Sequence, residues 1–168
     1  HVLDDQWKVV HSWRCSFRIL CSAGTTIYGV TEQSDGMVAY PAEKHVVRYT
    51  INGQQLPPLN HDHMRKPKHV KAMHSQQLGK NLVFVSDWNA NKLFLFLDDE
   101  LCWEWQPERF CKVGPVAMSK ITGHLYAVIT DYEDDYYDDD ELNFSTIKMF
   151  DLKGVSFFSF CQMELVSP

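Results

Sequence analysis

Two stretches hold most of the side chains that could do chemistry. The first is DYEDDYYDDDE, residues 131–141. Its carboxylates could hold Ca²⁺ or meet a basic partner. A calcium loop of the EF-hand type needs ligands at set spacing and a glycine for its sharp turn, and this run has no glycine. A solvated, self-repelling loop is the ordinary reading of such a run. The functional reading is a partner-binding surface formed by Asp131, Tyr132, Asp134, Asp135, Tyr136, Tyr137, Asp138, Asp139 and Asp140. In a secreted protein, Tyr132, Tyr136 and Tyr137 would be sulfation acceptors and Asn143-Phe144-Ser145 a glycosylation sequon.

The second stretch is HDHMRKPKHVKAMH, residues 61–74, with His61, His63, His69 and His74. A His-x-His pair on a strand puts both rings on one face, and a third ligand would complete a zinc or copper site. His61 and His63 are thus the metal candidates. No glutamate or cysteine stands near them in sequence and Pro67 interrupts the segment, so the expectation is surface histidines, with no metal and no cofactor. The same stretch holds a basic run, Arg65, Lys66, Lys68, His69 and Lys71. Arg65, Lys66, Lys68 and Lys71 are the residues on which RNA binding would rest. Trp103 and Trp105 in LCWEWQPE alternate, so both indoles lie on one side of a strand. Packing against a neighbouring sheet is their default, and an exposed pair would be a partner-binding hot spot. No GxSxG, HExxH or phosphate-cradling glycine loop occurs.

The whole chain limits these choices. Its 168 residues, 45% hydrophobic, suit one domain, and a net charge of −6 argues against nucleic acid or an anionic membrane as main partner. No apolar stretch approaches the roughly 18 residues of a membrane span, and the N-terminus shows no signal peptide. The five cysteines (Cys15, Cys21, Cys102, Cys111, Cys161) form no CxxC pair, and most sit beside aromatic or aliphatic residues. They read as buried thiols, which points to a reducing, cytoplasmic setting.

The elements that must position these residues emerge as a repeat. FRIL-CSAGT-TIYGVTE, HVKAM-SQQLGKN-LVFVSD and GPVAM-SKITGH-LYAVITD each give an apolar strand, a glycine turn (Gly24, Gly79, Gly123) and a strand centred on Tyr28, Phe84 or Tyr126. Each continues through a variable loop into a further β-rich strand and a polar turn such as Asn52-Gly53 or Lys153-Gly154. The aromatic markers lie 56 and 42 residues apart, a period in the range of propeller blades. KLFLFL, residues 92–97, is apolar at successive positions, so both faces of that strand should be covered, as stacked blades would do. SDWNAN then reads as a tight connection between antiparallel strands, with Asp87, Asn89 and Asn91 supplying acceptors and tolerating unusual backbone angles. KHVKAMHSQQLGK could be helix or strand, and strand is favoured. The expected fold is all-β: propeller blades of four antiparallel strands in one partial domain spanning residues 1–168, with units near 15–56, 64–106 and 111–160. The acidic run and SDGMVAYPAEK (34–44) stand where the second unit has only SDWNAN, so both are inserts expected on one rim.

The segment from Pro67 to Phe96 resembles an NHL repeat: Pro67, Val70, Gly79, Phe84, Val85, Asp87, Asn89, Asn91, Lys92 and Leu93 match in order. The third unit keeps Pro115, Gly123, Tyr126, Val128 and Asp131, and the first only Gly24, Tyr28 and Val30. FVSDWNANKL also resembles the YWTD repeat of extracellular receptor propellers, which would place the protein outside the cell. The resemblance covers about residues 15–155. It implies a six-bladed propeller that binds protein, or RNA in some branches, while other members are lactonases or amidating lyases. At about 40 residues per blade the chain holds roughly three and a half. With His1 in place of a starting Met, it is expected to be a piece of a larger propeller. Pairing of two copies is the alternative.

The leading expectation is a non-enzymatic module that binds a protein through its rim loops, a basic one where the acidic run makes the contact. A hydrolase or lyase with metal in the central channel is the second. Its polar candidates on the innermost strands are only Arg18 and His69.

Overall fold

The structure, a computed structural model, describes residues 2–3, 9–11, 19–30, 45–108, 111–119, 124–131 and 145–151. Every regular element among them is a strand. A short ribbon pairs β1 (Val2–Leu3) with β2 (Val9–His11), which the repeat pattern did not anticipate. Three antiparallel sheets follow, each pairing strands in chain order. Sheet I is β3 (Ile19–Ala23), β4 (Thr26–Val30), β5 (His45–Thr50) and β6 (Gln55–Asn60). Sheet II is β7 (Pro67–Ser75), β8 (Lys80–Asp87), β9 (Lys92–Leu97) and β10 (Glu100–Trp105). Sheet III is β11 (Cys111–Met118), β12 (His124–Asp131) and β13 (Ser145–Asp151). The ambiguous 68–80 segment is therefore strand and turn, with β-branched Val70 inside β7 and Gly79 at φ 62° in the turn. The inserts at 34–44 and 132–144 lie outside the described residues, as do Arg18, Gly123 and the Lys153-Gly154 turn.

KLFLFL explains how the sheets stack. Leu93, Phe94, Leu95, Phe96 and Leu97 are all 2% exposed or less, although side chains alternate between the faces of a strand. Phe94 and Phe96 join Val83, Val85, Val70 and Ala72 in a core shared with Tyr28, Val30, Val46 and Leu59 of sheet I. Leu93, Leu95 and Leu97 join Leu82 and Phe84 in a second core with Val113, Leu125, Ala127, Ile129 and Phe150 of sheet III. Sheet II is thus covered on both faces, as the unbroken apolar run required. The opening strands adjoin: β3 and β4 lie against β7, and β11 lies against β7 and β8.

A polar tie joins sheets I and II beside the first core. The buried Tyr28 hydroxyl accepts a 3.2 Å hydrogen bond from Asn81 Nδ2, and Asn81 Oδ1 lies 2.9 Å from His74 Nδ1. Gly24, at φ 55°, closes the β3–β4 turn against this pair: a Cβ there would lie 3.3 Å from Asn81 Oδ1. Burial raises the Tyr28 pKa above its ordinary value, against the opposing pull of the Asn81 hydrogen bond and the Arg48 charge. The outer strand β6 carries Pro57 and Pro58, tolerated because the strand lies at an edge.

Cys21, Cys102 and Cys111 are thiols, half-buried against the two cores, not fully buried as the sequence suggested. Desolvation pushes the Cys21 pKa up to about 11, which keeps it protonated and unreactive near neutral pH. Cys15 and Cys161 lie outside the described residues.

Truncating a side chain between two sheets removes transfer energy and leaves a cavity. Phe94→Ala should cost about 3–5 kcal/mol in urea unfolding, whereas Ile147→Ala, at a position 72% exposed, should cost under about 0.5 kcal/mol.

Candidate functional site

The β8–β9 turn is built around the Asp87 carboxylate. Asp87 is fully buried and pairs with Lys92 across the hairpin. Its Oδ1 accepts the Ala90 N–H at 2.8 Å, closing the turn, in which Asn91 adopts φ 53°. Its Oδ2 accepts the N–H groups of Arg65 and Lys66 at 2.6 and 2.8 Å. One carboxylate therefore closes its own turn and fixes the 61–66 connection between sheets I and II. Met64, fully buried in the first core, anchors that connection from below. Two more backbone bonds brace it, Met64 N–H to His61 O at 2.9 Å and Trp88 N–H to Lys66 O at 3.2 Å.

On this braced connection stand His61 and His63, edge to face with ring centroids 4.8 Å apart. The His61 ring also lies 6.4 Å from that of Phe94. His63 Nδ1 lies 2.8 Å from Glu104 Oε2, and Lys92 Nζ donates to Glu104 Oε1 at 2.7 Å. The sequence found no glutamate near these histidines, and the fold corrects that: Glu104 arrives from β10, 41 residues away. A register shift between Leu101 and Trp103 aims it. Past the shift, Glu104 pairs with Phe94 and shares its face, on the side of the first core. Trp103 and Trp105 pair with Leu95 and Leu93 and share the opposite face.

Both indoles accordingly pack between sheets II and III. They meet Phe150 edge-on at 5.7 and 5.2 Å between ring centroids. This is the packing role, and both residues are half-buried in it. The backbones of Arg65 and Lys66 are held by Asp87, Lys68 sits at a register shift, and Lys71 lies on the face opposite Val70 and Ala72. Of the acidic candidates, Asp131 closes β12 opposite Cys111. Tyr132, Asp134, Asp135, Tyr136, Tyr137, Asp138, Asp139 and Asp140 lie outside the described residues.

The sequence did not single out β13. Ile147 and Met149 are 72% and 53% exposed on one face of this strand, the outermost described strand of sheet III, opposite Val128 and Tyr126 of β12. The alternation of STIKMFD was the available signal. It puts Ile147 and Met149 on one side, with Phe150 turned to the core.

Among the described residues, no helix is long and apolar enough to cross a membrane. No family model and no curated protein matches the chain.

Replacing Asp87 by Ala removes three hydrogen bonds to a buried charged acceptor. It should destabilise the fold by about 2–4 kcal/mol and speed amide exchange at Arg65 and Lys66. Glu104 is subject to opposing effects: desolvation alone would raise its pKa, but hydrogen bonds from Lys92 and His63, with their charges, outweigh it and hold the pKa below 4.5. A lowered folded-state pKa means stabilisation that is full above the unfolded value and lost as pH falls through the folded one. The stability difference between wild type and Glu104→Gln should therefore be present at neutral pH and vanish well below 4.5, as read from urea melts across pH.

Proposed function

We propose that the chain is a non-enzymatic protein-interaction module, part of an NHL-like β-propeller, that receives a basic protein partner on sheet III beside the acidic insert. Exposure of Ile147 and Met149 on β13 carries this reading. Large apolar side chains displayed together on the outermost described strand of a sheet favour a contact surface. DYEDDYYDDDE leads into that strand, and Asp151 closes it. Carboxylates adjacent in sequence to an apolar strand favour a partner with matching basic groups and would steer its approach. The same charges, within a net −6, repel a second copy of the chain. The propeller part is supported by three chain-ordered antiparallel sheets with adjoining first strands and a middle sheet buried on both faces. The division of Arg65, Lys66, Lys68 and Lys71 among a loop, a register shift and one strand face gives RNA binding no comparable support.

A fluorescein-labelled peptide of alternating lysine and leucine is a suitable probe, followed by anisotropy. Binding should weaken with added salt and fall at least about tenfold in the double variant Ile147→Ser, Met149→Ser. Binding that the double variant leaves unchanged would remove β13 from the interface. A wild-type dimer in light scattering, dissociated by the same substitutions, would assign the face to a second copy and end the basic-partner reading.

A further inference from the structure

The rim cluster on the 61–66 connection has no part in that interaction surface. His61, His63 and Glu104 each offer one donor atom, and the three atoms lie within 4.8 Å of one another. We propose that His61, His63 and Glu104 bind a zinc ion at the junction of sheets I and II.

Two imidazole nitrogens and one carboxylate oxygen form a donor set that Zn²⁺ accepts with a fourth position open. Metal–ligand bonds of about 2.0–2.2 Å around a tetrahedral centre separate neighbouring donors by about 3.4 Å. The 2.8 Å between His63 Nδ1 and Glu104 Oε2 and the 4.8 Å limit of the set fall on either side of that value. Rotation of the His63 side chain, 54% exposed, suffices to adjust it. The ion would replace the His63–Glu104 hydrogen bond, with the neutral His63 ring keeping its N–H on the nitrogen that does not ligate.

The surroundings are organised as a ligand set requires. Lys92 holds Glu104 Oε1 at 2.7 Å and leaves Oε2 facing His63, and a hydrogen bond on the distal oxygen fixes a ligating carboxylate. The backbone that carries His61 and His63 is held in place, because Met64 is buried and Asp87 pins the next two N–H groups. A solvated pair of surface histidines needs none of this bracing. Much of the ordering cost of binding is thus met by the fold.

Isothermal titration of the 168-residue chain with zinc chloride tests the site, alongside cobalt(II) absorption spectra. One Zn²⁺ should bind per chain. His63→Ala and Glu104→Gln should each weaken it by at least about tenfold, with circular dichroism unchanged. His74→Ala, an exposed histidine outside the cluster, should leave the affinity as it was. Cobalt should give the visible bands of a four-coordinate centre, and His63→Ala should abolish them. Absence of binding overturns the proposal, and so does stoichiometric binding that survives the double variant His61→Ala, His63→Ala.

Discussion

A strand with apolar side chains at every position cannot be satisfied by one covering layer, and the rest of this structure follows from that constraint. Residues 93–97 alternate between two faces, so water has to be excluded from both. Sheet I closes one face with Tyr28, Val46 and Leu59, and sheet III closes the other with Leu125, Ala127 and Phe150. Because apolar contact on sheet II is complete, polar work is confined to the strand ends and to the outer strands. The two histidines, Lys92 and Glu104 all stand at such places.

Asp87 links the apolar stack to its polar rim. A carboxylate without accessible surface is costly unless its lone pairs are taken up, and three backbone N–H groups take up those of Asp87. The N–H groups come from two separate segments, so one side chain sets the geometry of both. The β8–β9 turn and the inter-sheet connection consequently behave as a single shelf. That the shelf carries His61 and His63 follows from where the connection crosses, over Phe94.

Much of this could be read from the residues and some could not, for physical reasons. The β8–β9 hairpin and its turn were legible because two apolar runs flank SDWNAN, whose Asp87, Asn89 and Asn91 act within a few positions. The doubly covered β9 was legible because no one-faced strand sustains KLFLFL. Packing of Trp103 and Trp105 followed from their spacing. Glu104 stayed hidden because its position depends on a register shift at Leu101–Trp103, and LCWEWQ carries no local mark of one. A strand of regular register would have put Glu104 and Leu101 on opposite faces. The exposure of Ile147 and Met149 depends on what lies over sheet III, a fact of tertiary arrangement that a seven-residue pattern does not encode. Along the basic run, a bend and a register shift intervene between groups that are contiguous in sequence.

The outer strands of sheets I and III differ in how they end. Two successive prolines in β6 remove one N–H from the inward row and one from the outward row, so the strand offers a broken ladder to anything beyond it. Next to it, the Arg48 guanidinium donates to the Pro57 carbonyl at 2.5 Å and occupies an acceptor as well. β13 follows β12 in unbroken register over seven residues and contains no proline. Among the described strands the two edges are therefore unequal as templates for pairing. Strands meeting β6 find little to pair with, whereas β13, the outermost described strand of sheet III, offers a continuous row to a further strand, of this chain or of another.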